Sequence, residues 1–112
     1  MVEEVLLNYL NNSDLSVTAY AQRPESEPSS YVVIEKTGSS RLKRIETATI
    51  AIQSYAPSLY EAAALNEEVK EIMDAMPALD EIGSVQLVSD YNFTSTTAKR
   101  YRYQAVYQIT HY

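Results

Sequence analysis

The segment "ATIAIQSYAPSLYEAAALNEEVKEIM", Ala48 to Met73, changes period halfway along. Up to Ala56 it alternates, with Ala48, Ile50 and Ile52 on one side and Thr47 (just before it), Thr49 and Gln53 on the other, the pattern of a strand with one buried face. After Pro57 the apolar positions fall three and four apart, at Leu59, Ala62, Leu65, Val69, Ile72 or Met73, and Met76, which is a helical stripe. Ser58 and Glu61 form the S-x-x-E capping box, in which the hydroxyl and the carboxylate each answer an orphan amide. Glu61, Glu67, Glu68, Glu71 and Asp74 occupy the remaining faces, and Pro77 marks the end. A strand that runs directly into a long amphipathic helix fixes the class as one containing both.

Working outward, "YVVIEKTG" (Tyr31 to Gly38) is a second β-branched run. "TGSS" between it and the next strand supplies the glycine and serines of a hairpin loop. Upstream, "SVTAYAQ" (Ser16 to Gln22) permits a strand, and "RPESEPSS" reads as an exposed loop because its prolines remove backbone donors. "VEEVLLNYL" has Val2, Val5, Leu6, Tyr9 and Leu10 on one helical face, with Glu3 and Glu4 in the first turn, where the helix dipole favours negative charge. Downstream, "SVQLVSDYNFTS" puts Val85, Leu87, Tyr91 and Phe93 on one face. "KRYRYQAVYQITHY" does the same for Tyr101, Tyr103, Ala105, Tyr107 and Ile109, with "TSTTAK" as the joining loop. The order is helix, strand, hairpin, helix, hairpin. It implies an α+β single domain over residues 1–112: one small mixed or antiparallel sheet of about five strands, with a short N-terminal helix and one long helix packed on one face. If the strands flanking the long helix run parallel, the crossover should be right-handed.

Composition limits the function classes. The chain has 112 residues, no cysteine, 15 acids against nine Lys and Arg, and a net charge of −6. Without cysteine there is no disulfide and no thiolate metal site. No apolar run approaches the roughly 20 residues of a membrane span. The N-terminus lacks the pattern of a signal peptide, so we expect a protein that stays in the cytoplasm where it is made. The acid excess argues against a nucleic-acid binder, which needs a basic footprint. Basic residues nevertheless cluster at Arg41, Lys43 and Arg44 and at Lys99, Arg100 and Arg102. These are solvated loop charges, partners of an acidic protein surface, or phosphate contacts.

Catalysis requires convergent polar groups, and the sequence offers few. The only histidine is His111, next to the last residue, and only Gly38 and Gly83 could serve a phosphate-cradling loop. Asp74, Asp80 and Glu81 follow a helix end into a turn, and Ser39 and Ser40 have no nearby base. We therefore expect no enzyme, no cofactor and no metal.

The face of the sheet opposite the apolar one carries a different signal. Thr47, Thr49, Ala51 and Gln53 on one strand, and Arg102, Gln104, Val106, Gln108 and Thr110 on another, give a surface poor in the Lys and Glu that normally guard exposed sheets. Ten tyrosines beside one phenylalanine and no tryptophan fit the same reading. A phenol buries its ring while its hydroxyl finds a partner at a wet boundary, which suits a protein–protein contact.

The segments "RPESEPSSYVVIEKTG", "ATIAIQSYAPSLYEAAALNEEVKEIM" and "SDYNFTSTTAKRYRYQAVYQITHY" resemble the tail-terminator (tail completion) proteins of long-tailed bacteriophages and prophages of Gram-positive hosts. The resemblance runs from about Leu15 to Tyr112 and lies in order, length and wording, not in a catalytic motif. It implies a structural protein made in the host cytoplasm and placed in the virion at the head–tail interface. There it would form a ring, usually a hexamer, that caps the tail tube, stops its polymerisation and meets the head connector or stopper. Such subunits can be monomeric until the tail templates them. Genome DNA would pass through the ring without specific binding, and an acid-lined lumen would favour sliding. A head-side neck or stopper adaptor is the alternative within the class. A small nucleic-acid-binding module using the two basic clusters is the alternative outside it. Candidate contact residues are Arg23, Glu25 and Glu27 in the first loop, Arg41, Lys43 and Arg44 at the hairpin tip, Thr47, Thr49, Gln53, Gln104 and Gln108 on the sheet, and Lys99, Arg100 and Arg102 at the second tip.

Overall fold

In a computed structural model, residues 2–26, 28–43, 45–76, 82–92 and 101–111 are described. The helix that begins after Pro57, α2, spans Leu59–Asp74. Its N-cap is Ser58, whose Oγ accepts from the Glu61 amide at 3.2 Å. The other half of the capping box differs from expectation. The Glu61 carboxylate accepts the Ser58 hydroxyl proton at 3.0 Å instead of reaching the cap's own backbone amide, so the two side chains lock each other. Ala62, Leu65, Val69 and Met73 of α2 are buried, as is Met76 beyond its end, while Leu59 at its start is exposed. The N-terminal helix α1, Val2–Asn11, buries Val2, Leu6 and Leu10. The Tyr9 hydroxyl joins the helices by donating to the Ile72 carbonyl at 2.6 Å.

Five strands make one mixed sheet: β1 (Ala19–Tyr20), β2 (Tyr31–Leu42), β3 (Ile45–Ala56), β4 (Ile82–Asn92) and β5 (Tyr101–His111), in spatial order β1-β2-β3-β5-β4. β1 pairs parallel with β2 and every other pair is antiparallel. The fold is α+β, as its element order implies. Because β5 sits between β3 and β4 and opposes both, those two strands run parallel and α2 is the crossover joining them.

Three details correct the expected elements. Only Ala19 and Tyr20 of the Ser16–Gln22 run form a strand, held where Asn11 bonds both the amide and the carbonyl of Ala19. "TGSS" is not the hairpin loop. β2 continues through it to Leu42, the glycine marks a register shift between Lys36 and Gly38, and the chain reverses after the closing pair Leu42–Ile45. Lys43 makes that reversal with φ 50°, a left-handed conformation unfavourable for a side chain with a Cβ. Finally, a register shift between Leu87 and Ser89 moves Tyr91 to the face opposite Val85 and Leu87. Phe93, Pro77 and the "TSTTAK" loop lie outside the described residues.

The main core is a single layer between sheet and helices. Ala48, Ile50 and Ile52 of β3 and Ala105, Tyr107 and Ile109 of β5 pack under Leu6, Leu10, Leu65, Val69 and Met73. At about 25 cal/mol per Å² of apolar area removed from water, this layer is the dominant stabilising term. Both helices contribute to the same cluster, so both cover the same face.

Candidate interaction face of the sheet

The opposite face carries no helix among the described residues, and alternation decides what it presents. Residues paired across antiparallel strands share a face, so the register maps the surface row by row. At the hairpin-tip end Leu42 faces Ile45. Next come Ser40, Thr47, Thr110 and Ser84, then Gly38, Thr49, Gln108 and Gln86. These two rows hold eight residues and no charge. Glu35, Ala51, Val106 and Ser89 follow, then Val33, Gln53, Gln104 and Tyr91, and finally Tyr31, Tyr55 and Arg102.

The last two rows form a rigid network. Arg102 Nη1 donates to the Tyr55 hydroxyl at 2.9 Å, which donates to Gln53 Oε1 at 3.0 Å. Gln53 Nε2 donates to Gln104 Oε1 at 3.0 Å, and Gln104 Nε2 to the Tyr91 hydroxyl at 2.6 Å. This chain of four hydrogen bonds crosses β3, β5 and β4, and it fixes both glutamine amides, each only 8% exposed. Beside it Tyr31 stacks on Tyr55, with centroids 4.7 Å apart, and meets Tyr20 edge-on at 6.2 Å. The guanidinium groups of Arg23 and Arg102 lie 5.8 and 5.5 Å from the Tyr55 ring centre, within cation–π range. The result is a preorganised, hydrogen-bonding surface with an aromatic end, which would lose little side-chain freedom on contact with a partner.

Of the sequence-derived candidates, the structure brings Thr47, Thr49, Gln53, Arg102, Gln104 and Gln108 together on this face. Arg23 reaches its aromatic end from the loop, whereas Glu25 is simply exposed. Lys43 stands at the turn, and Arg41 lies next to it on the helix side of the sheet, 4.0 Å from Glu46. Glu27, Arg44, Lys99 and Arg100 lie outside the described residues. The aromatic members Tyr20, Tyr31, Tyr55 and Tyr91 were missed. The tyrosines of β5 attract attention first, but Tyr107 is buried against the helices and Tyr103 lies on their side. Tyr55, two residues after Gln53, shares its face by simple alternation and could have been found.

Charged groups concentrate in the helix layer. Lys70 bridges Glu67, at 2.7 Å, and Asp90, and its hydrogen bond to Asp90, then that to Glu67, holds its pKa well above the ordinary lysine range. Asn66, also on α2, donates to the same Asp90 carboxylate at 2.6 Å. This cluster ties α2 to β4. His111 ends β5 between Glu46 and Ile82, with Nε2 3.5 Å from Glu46 Oε2, so it belongs to the sheet and not to a frayed end. Among the described residues no three His, Cys, Asp or Glu side chains converge as a metal site, and no helix is long and apolar enough to cross a membrane. Compared with family models and with curated proteins, the sequence matches none.

Proposed function

We propose that the protein is a structural component of a phage virion, of the tail-terminator kind, which assembles as a ring on the end of the tail tube and presents a surface to the head connector. The helix-free sheet face carries this reading. The two rows beside its hairpin tip consist of Ser, Thr, Gln and Gly, without the charges that keep a solvated sheet from pairing. Its buried glutamines are locked by hydrogen bonds to one another and to tyrosine. Such a face is suited to contact by shape and hydrogen bonding. The crowded acids of α2, Glu67, Glu68, Glu71 and Asp74, stand on the helix layer, on the other side of the sheet. The neutral face therefore suits a virion partner, and those acids of the helix layer that no subunit contact covers would keep DNA from sticking.

Electron microscopy of the purified protein mixed with tail-tube subunits tests the proposal. Tubes capped at one end and limited in length are the expected result. Tubes whose length and ends are indifferent to the protein would overturn it.

A further inference from the structure

The tip of the β2–β3 hairpin combines three features that work against an isolated subunit. Leu42 and Ile45 close the hairpin as a cross-strand pair, yet they are 74% and 41% exposed. Lys43 holds the left-handed conformation that glycine or asparagine adopts more readily. Residues 37–46 also contain three of the nine Lys and Arg residues against one acid, Glu46, which lies 4.0 Å from Arg41, in a chain of net charge −6. An exposed apolar pair, a strained backbone and local positive charge at one turn mark a functional contact better than a simple loop.

A groove of matching chemistry lies in the helix layer. It occupies about 570 Å³ between the end of α1 and the last turns of α2. Tyr9, Ile72 and Ala75 supply its apolar lining, and Asp14, Glu68 and Glu71 its acids. Glu68 is tied down by the amide and hydroxyl of Ser16, which holds that wall in place. Asp14 and Glu71 make no ion pair among the described residues.

We propose that the hairpin tip of one copy docks into this groove of a second copy. Leu42 and Ile45 cover the Tyr9–Ile72–Ala75 lining, while Arg41 and Lys43 face Asp14 and Glu71. The occupant is a second copy because the same chain carries both halves of the complementarity, a cationic apolar tip and an anionic apolar groove. The contact joins two different patches, so it is head-to-tail and propagates until the rotation closes a ring. It rests on the ring reading above and assigns the contact that ring would use. One such contact is small and salt-sensitive, and ring closure adds avidity without new surface.

Charge reversal in the full chain tests it, read by sedimentation velocity over a concentration series to millimolar protein, with circular dichroism to check folding. One variant carries Arg41→Glu and Lys43→Glu at the tip, and the other carries Asp14→Lys and Glu71→Lys at the groove. The wild type should self-associate, and each variant alone should do so at least roughly tenfold more weakly. An equimolar mixture of the two should regain association, because each tip then meets a groove of opposite charge. Leu42→Ser, at an exposed site, should weaken association while leaving the fold unchanged. Wild-type protein monomeric throughout, or a mixture no better associated than either variant alone, would overturn the proposal. Association untouched by both reversals would also overturn it while leaving the ring reading intact; that reading fails separately, on uncapped tubes.

Discussion

The two faces of one sheet share their strands and differ in nearly everything else. On β3, Ile50 and Ile52 are fully buried beneath the helices, while their neighbours Thr49 and Gln53 point the other way, into a surface of amides and hydroxyls. One face is held by the apolar area it removes from water, which is non-directional and tolerant of repacking. The other is held by directional hydrogen bonds, in which each glutamine amide depends on its neighbour. The two faces should therefore fail differently. Damage to the first should unfold the subunit, whereas damage to the second should leave it folded.

The largest effect belongs to the core face. Ile50→Ala should cost about 2–5 kcal/mol, read by urea unfolding. Thr49→Ala, one residue away, should stay within about 0.5 kcal/mol. Equal losses at the two positions would erase the distinction between the faces.

Alkaline pH should next attack the helix side selectively. Burial, reinforced by the Asp74 charge, pushes the Tyr107 phenol up to about 12, and burial also raises Tyr9. Lys70 is raised by Asp90 and Glu67. In each case the folded state holds its proton more tightly than the unfolded chain. For Tyr107 the stabilisation is therefore complete below the unfolded value near pH 10 and is lost as pH rises through about 12. The contributions of Tyr9 and Lys70 are lost in the same direction, as pH rises above their unfolded values. For Tyr107 the shift corresponds to roughly 2–3 kcal/mol. Thermal melts between pH 8 and 12 should show the decline, and a Tyr107→Phe variant should lose part of it.

The glutamine chain on the open face should give a smaller, coupled effect. Gln53→Ala strands the Gln104 amide and the Tyr55 hydroxyl and should cost about 1–2 kcal/mol. The double variant with Gln104→Ala should cost less than the two singles combined, because they share one bond. Strict additivity would mean that the network contributes no more than isolated side chains. Smallest of all, Lys43→Gly should stabilise the hairpin by up to about 1 kcal/mol by relieving the left-handed lysine. Chemical denaturation resolves this, and a loss of stability would show that the turn is not strained.

Much of this contrast is legible in the sequence, because alternation and helical spacing report burial directly. The Ile50–Ile52 side of β3, the Ala105–Tyr107–Ile109 side of β5 and the α2 stripe follow from period alone. So do Thr47, Thr49, Gln53, Gln104 and Gln108 on the open face. Illegible were the places where the backbone departs from its period without a chemical flag. The hairpin reverses after the closing pair Leu42–Ile45, where the sequence has no glycine, asparagine or proline, while Gly38 marks a register shift inside the strand. The shift after Leu87 likewise carries no breaker residue, yet it moves Tyr91 from the helix face to the open one. One extra residue on a strand inverts every assignment beyond it. The grouping of Tyr20, Tyr31 and Tyr55 depends on the parallel pairing of a two-residue strand, which no local pattern announces.

The decisive measurement places like charges on the uncharged rows. Thr49→Lys and Gln108→Lys oppose each other across β3 and β5 on the helix-free face. The double variant should keep the melting temperature within a few degrees of wild type and yet fail to cap or limit tail tubes under the electron microscope. Tubes capped as well as by the wild-type protein, with the lysines in place and the subunit folded, would show that this face touches nothing and would contradict the role assigned to it.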